Sequence, residues 1–291
     1  MTTYPTALPP ALTTPPPPLV YTLLAFPTPQ ILLVTINRPQ HMNCINTAGH
    51  HEMHNLWEWY DSEPTLRCAI VTGAKGGKKE AFCVGQDLKE WHTSITNPTT
   101  TTTTEGPSHP PSGFAGLSQR TGKKPVITAI SGLTLGGGFE LTLNADLTLC
   151  TPTSTFSLPE SLIGVAAFAG ALPRLTLLVG LPRASELAYT GRVLTAAEAE
   201  AWGIVNRVVG PDEDVVGAAV EVAGKVVRCS PESVVVSRAG LRSAWEAGGV
   251  GEKVAGVWGG VGGVLRGGEN VKEGLASFVE GRKPRWGVSK L

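Results

Sequence analysis

The chain has 291 residues, 42% of them hydrophobic and 16% charged, with 24 Lys plus Arg against 24 Asp plus Glu. That length and apolar content support one large domain or two small ones around a substantial core. A formal net charge of zero gives no support to a general role on nucleic acid or anionic membrane, and no apolar run approaches the ~20 residues needed to span a bilayer.

Residues 1–18 are rich in Pro and Thr and read as a disordered or extended arm. The first basic residue is Arg38, which does not fit an Arg-rich transit peptide. Residues 21–26 and 31–36 read as two strands of a hairpin. Residues 47–60 read as a helix on the spacing of Met53, Leu56, Trp57 and Tyr60. His50 and His54 stand four apart, as metal ligands can, but the neighbouring His51-Glu52-Met53-His54 lacks the zincin spacing. A polar helix face is the better reading. Residues 68–72 read as a buried strand. Gly76-Gly77-Lys78-Lys79 lacks the Walker spacing and reads as a basic surface turn. Residues 97–112 contain a run of six threonines and read as a loop. Five cysteines, at 44, 68, 83, 150 and 229, form no CxxC pair, so free thiols are expected rather than a disulfide framework or a zinc site.

The organising stretch is 126–160. Residues 126–130 form a β-branched, buried-type strand, followed by Gly132 and the triplet Gly136-Gly137-Gly138. Glycines there let backbone approach a ligand closely, and residues 139–145 have the apolar content of a short helix. A glycine turn feeding a helix leaves N–H groups free to meet an anion. Glu140 falls in the first turn of that helix. Glu160 follows another predicted strand, 147–150, and a Pro-Thr-Ser turn. Taken singly, Glu140 reads as a first-turn acid at a helix dipole and Glu160 as a solvated or capping acid.

The segments SGLTLGGGFELTLNADLTLC and FSLPESLIG resemble the enoyl-CoA hydratase/isomerase (crotonase) superfamily. So do INRPQHMNCI at 36–45, AFCVGQDLKEW at 81–91, AEAWGIVNRVV at 199–209 and EGLASFVEGRKPRW at 273–286. The resemblance runs in order from about residue 21 to 286. It implies an α/β fold, a crotonase-like spiral of ββα units with a helical C-terminal part. The implied division is an arm at 1–20, a core at 21–207 with the CoA and catalytic site, a helical oligomerisation region at 208–288, and a tripeptide at 289–291.

By resemblance, the N–H groups of Gln86 and Gly137 form an oxyanion hole, Glu140 holds and deprotonates water, and Glu160 protonates the α-carbon. Hydration of a 2,3-enoyl thioester needs these parts. The enolate oxygen is stabilised where charge develops, one such donor being worth ~3 kcal/mol, and two carboxylates in one pocket can be held one ionised and one neutral. A double-bond isomerase needs only one proton carrier, so the presence of both glutamates favours a hydratase. The resemblance also places Arg38, Gly85, Asp87, Leu88 and Gly136 beside the CoA thioester, with Phe278 and Lys283 as C-terminal candidates and Lys78 or Lys79 as further phosphate contacts. Where relatives carry Pro-Gly before Arg174-Leu175, this chain has Ala167-Phe168, and Phe168 is expected to reshape the acyl pocket. No cofactor is expected, because coenzyme A is part of the substrate, and no metal.

Thr195 with Glu198 reads as a capping box opening a helix, 215–227 and 231–247 as further helices, and 273–280 as the last. The glycine-rich 248–268 stretch is expected to be a weakened or broken helix. Ser289-Lys290-Leu291 matches a receptor-read peroxisomal address, implying a peroxisomal location and an import-receptor partner. Relatives are trimers or dimers of trimers, and some fungal peroxisomal ones make branched five-carbon acyl groups for siderophores, so a dedicated branch stands beside general fatty-acid oxidation. The alternatives are an enoyl-CoA isomerase and a catalytically silent CoA-binding scaffold. An RNA-binding side role draws no support from the charge.

Overall fold

A computed structural model describes residues 3–96, 109–167, 169–244, 260, 268–280 and 282–290. The expectations for the threonine run, for Phe168, for Leu291 and for nearly all of the glycine-rich 248–268 stretch lie outside these residues, as does the side chain of Phe278.

The apolar, β-branched segments build a six-stranded sheet. β1 (Thr22–Thr28) pairs antiparallel with β2 (Ile31–Ile36), and β2 runs parallel to β3 (Cys68–Gly73). Next come β5 (Val126–Ile130), β7 (Leu147–Cys150) and the short β10 (Arg207–Val208), all parallel. Alternate residues serve opposite faces. Leu32, Val34 and Ile36 enter the larger core, while Ile31 and Leu33 enter a second one. Both faces are covered, which is why these strands read as continuous apolar runs. Helix α1 (Thr47–Ser62) covers one face, and α7 (Val215–Val227) seals the other against β2, β3 and β5.

A second, four-stranded sheet stands beside it. Its strands are β4 (Ala81–Cys83), β6 (Leu133–Leu135), β8 (Thr155–Ser157) and β9 (Leu194–Thr195). β6 and β8 do not stand out in the sequence: three residues are too few to show alternation, and residues 152–154 suggested only a turn. This sheet positions the site. Helix α3 (Gly137–Leu143) leaves the end of β6, and a 3-10 turn over Pro159–Ile163 leaves the end of β8. Helices α4 (Ala171–Val179), α5 (Leu181–Thr190) and α6 (Ala196–Ala201) follow. The expected capping box opens α6: Glu198 N–H donates to Thr195 Oγ1 at 3.2 Å, and Thr195 N–H to Glu198 Oε2 at 2.9 Å.

Helix α8 (Pro231–Ser243) is pinned to the turn after α3. Arg238 Nε donates to Asp146 Oδ1 at 2.9 Å and Arg242 Nη2 to the same oxygen at 3.1 Å, while Val126 N–H takes Asp146 Oδ2 at 2.9 Å. α9 (Glu269–Val279) precedes a C-terminal segment bound through Trp286 Nε1 to Arg228 O.

Residues 13 and 14 of the Pro/Thr-rich arm are tied to the end of α1. Glu63, fully buried, accepts from Thr13 N–H at 2.9 Å, Thr13 Oγ1 at 2.8 Å and Thr14 N–H at 3.0 Å. Trp59 Nε1 donates to Thr14 O at 3.2 Å. The buried carboxylate and indole each need a partner, and the arm supplies them. All five cysteines are free, four of them buried. No described helix is long and apolar enough to cross a membrane.

Candidate active site

The loop carrying Gln86 is fixed from one side. Ile45 N–H donates to Gly85 O and Asp87 N–H to Ile45 O, both at 2.9 Å, so residues 45 and 86 form a parallel bridge. In such a bridge the N–H of the central residue, Gln86, faces the opposite way. On that side stands the start of α3. A Cβ built on Gly85 would lie 3.2 Å from Gly137 N and 3.1 Å from Leu135 O. The backbones of the two predicted oxyanion donors are therefore packed together, and only glycine at 85, with φ +92°, permits that approach. Gly137 N belongs to the first turn of α3 and has no intrahelical partner.

Gly136 adopts φ +53°, and its N–H donates to Ser157 O at 3.0 Å, tying the start of α3 to the end of β8. This register brings the two glutamates to one place. A Cβ on Gly136 would lie 2.9 Å from Glu160 Oε1. Glu140 is buried and its Oε1 accepts from Ala171 N–H at 3.2 Å. Burial pushes the Glu140 carboxyl up to about 7, and the Glu160 charge adds to this, against backbone N–H groups at Ala171 and Ala169 and the charge of Arg174. Burial also raises Glu160 above the usual carboxylate range, and its Oε2 is buried without a hydrogen-bond partner among the described residues. The helix dipole alone would lower Glu140, so here desolvation wins over the dipole.

Arg38 and Asp87, expected beside CoA, are paired with each other. Arg38 Nη2 meets Asp87 Oδ2 at 2.9 Å, with both side chains under 15% exposed, and Arg38 Nη1 donates to Cys44 O at 2.7 Å. Their observed work is to clamp the 38–45 segment to the Gln86 loop. Leu88, half exposed, opens α2 (Leu88–Thr96) at the rim. Lys78 and Lys79 are exposed on their surface turn. Lys283 is exposed in a segment joined to Arg67, Arg228 and Glu232 instead of the glutamates.

His50 corrects the polar-face reading of α1: it is fully buried. Its Nδ1 accepts from Ala115 N–H at 3.0 Å, and its Nε2 lies 2.7 Å from Gln86 Oε1. Both ring nitrogens are taken, which leaves none for a metal, and no cluster of three potential metal ligands occurs among the described residues. Ala115 holds φ +56° while its C=O accepts from Trp57 Nε1 at 3.1 Å, so α1 fixes this strained residue from two side chains. His109 Nε2 lies 3.3 Å from Gln86 Oε1, and the Phe114 ring packs edge-on to His50 at 4.6 Å. A Cβ on Gly137 would strike that Phe114 ring at 2.5 Å. Sequence reasoning missed this cluster. The available signal was His50 three before Met53 and seven before Trp57, on the buried stripe of α1.

The Gly85–Gln86 backbone packed against the start of α3, beside two carboxylates raised by burial, is the arrangement expected from the resemblance. The Enoyl-CoA hydratase/isomerase family model matches residues 28–289, and the chain belongs to that family. Among curated relatives, it is 48% identical over 278 residues to mevalonyl-coenzyme A hydratase SIDH of Beauveria bassiana, covering 94% of this chain and 98% of that protein. It is 44% identical over 273 residues to mevalonyl-coenzyme A hydratase sidH of Aspergillus fumigatus, covering 92% and 96%. The fold is similar to the crystal structure of enoyl-CoA hydratase from Mycobacterium tuberculosis H37Rv, with a TM-score of 0.81 and 30% identity over 92% of this chain and 99% of that one.

Proposed function

We propose that the chain interconverts a 3-hydroxyacyl-CoA and the 2-enoyl-CoA, with a methyl-branched acyl group on a five-carbon chain, of the mevalonyl kind, as substrate. The observation that carries the chemistry is the convergence of Glu140 and Glu160 on the start of α3, beside the Gly85–Gln86 backbone. In hydration, the thioester oxygen takes the N–H groups of Gln86 and Gly137 as it gains charge. Glu140, ionised above about pH 7, removes a proton from water as it reaches C3. Glu160, in the same pocket, gives its proton to C2. Dehydration runs the same steps backward.

The acyl group is supported by the two curated relatives, both named as mevalonyl-coenzyme A hydratases. That substrate suits a dedicated biosynthetic branch, such as siderophore assembly, more than general fatty-acid oxidation. The C-terminal Ser289-Lys290-Leu291 supports a peroxisomal location through an import receptor. Exposed Leu177, Leu181, Tyr189 and Val193 on and beside α4 and α5 support assembly of several copies, a trimer or a pair of trimers.

The test is to follow absorbance of the conjugated thioester with crotonyl-CoA, a longer 2-enoyl-CoA and a 5-hydroxy-3-methyl-2-pentenoyl-CoA. Turnover fastest on the branched hydroxylated thioester is expected. Turnover of none of the three would overturn the proposal, and a preference for a straight chain would overturn its acyl part.

A further inference from the structure

His50 fixes its own tautomer. Its Nδ1 accepts the Ala115 N–H at 3.0 Å, so its proton sits on Nε2 and is donated to Gln86 Oε1 at 2.7 Å. That orients the Gln86 amide, with the oxygen toward His50 and His109 and the NH2 away from them. Gln86 Nε2 is buried and has no hydrogen-bond partner among the described residues. A buried amide donor without an acceptor is uncommon and asks for one. On the acyl-CoA reading above, the backbone N–H of this same residue is an oxyanion donor, which would put the amide within one side-chain length of the thioester carbon. Phe114 closes the cluster, packing on His50 at 4.6 Å and lying against Gly137.

We propose that the Gln86 amide, braced by His50 and His109, is a subsite for a neutral hydroxyl on the acyl chain, remote from the carbons that react. This rests on the acyl-CoA reading above and adds to it the group that selects the substrate. A plain alkyl chain would leave the buried donor unpaired. A carboxylate would find no cation in the cluster: burial holds His50 down near 3 and lowers His109 as well, so both are neutral. A hydroxyl supplies the acceptor without the charge.

The experiment measures calorimetric Kd of the full-length protein for three unreactive saturated thioesters: 5-hydroxy-3-methylpentanoyl-CoA, 3-methylpentanoyl-CoA, and the 3-methylglutaryl-CoA that ends in a carboxylate. The hydroxylated thioester is expected to bind roughly ten- to a hundredfold more tightly than either of the others. In Gln86→Met that ratio is expected to fall toward one, and likewise in His109→Phe, whose retained binding of 3-methylpentanoyl-CoA is the internal control for an intact site. Equal wild-type affinities, tighter binding of the carboxylate, or a ratio unchanged in both variants would overturn the subsite. Because these ligands are not turned over, the outcome is independent of whether the chain hydrates enoyl thioesters.

Discussion

Replacing Glu140 with Gln should make the folded protein more stable, but only at high pH. Glu140 is 5% exposed, and burial moves its carboxyl from the ordinary 4.5 to about 7. A carboxyl raised by folding binds its proton more tightly in the native state. Stability therefore falls as pH rises from the unfolded value near 4.5 to the folded value near 7, then levels off. At about 1.4 kcal/mol per pH unit, keeping the charge in this site costs about 3 kcal/mol at pH 8. Glu140→Gln carries no such penalty, and its amide oxygen can still accept from Ala171 N–H. Urea unfolding of the wild type and variant at about pH 4.5 and 8 would read the difference. The variant should gain about 3 kcal/mol relative to wild type between those conditions, while losing hydration by a factor on the order of 10² to 10⁴. Equal stability differences at the two pH values would refute the reasoning, because the raised carboxyl would then be absent. In the wild type, kcat/KM for hydration should rise with pH through about 7 as Glu140 becomes the base.

Gly138→Ala would place a Cβ 2.1 Å from Cys83 O, forcing α3 off β4. A lowered Tm and a loss of about 1–3 kcal/mol are expected, and an unchanged Tm would contradict the packing. Arg38→Ala removes the clamp on Asp87 and Cys44 O, and should lower kcat more than it raises KM for the CoA thioester, with about 1–3 kcal/mol of stability lost. A pure rise in KM would instead make Arg38 a CoA contact. Burial alone would raise Glu63, but hydrogen bonds from Thr65, Thr13 and Thr14 hold it below its usual value. The tie is then complete above about pH 4.5 and lost as pH falls through the lower folded value. Glu63→Ala should release the arm at neutral pH, seen as new proteolytic cleavage within residues 1–20, and an uncut arm would argue against the tie.

The large sheet was legible because its strands are buried on both faces and read as continuous apolar runs, as in residues 68–72 and 126–130. Glu140 and Glu160 were legible only through resemblance, since each alone passes for an ordinary surface acid. The four-stranded sheet that brings them together was not legible in full. β6 and β8 have three residues each, and their pairing joins Leu133 to Thr155 and Leu135 to Ser157 across a helix and a strand. The His50–Gln86–His109 cluster was hidden for a related reason. His109 falls in the low-complexity 97–112 stretch, and nothing local shows that it returns to the residue 23 positions earlier. Arg38 and Asp87 stand 49 positions apart, and only the fold makes them a pair.

Hydration by two carboxylates is tested most directly by isotope exchange in D2O and 18O-labelled water, starting from a 3-hydroxyacyl-CoA that the wild type equilibrates with its enoyl thioester. The wild type should place deuterium at C2 and 18O at C3. Glu160→Ala should abolish deuterium entry and Glu140→Ala should abolish 18O entry, each at unchanged CoA-thioester binding. Deuterium entry without any 18O in the wild type would contradict hydration and leave proton transfer between carbons as the chemistry of this site.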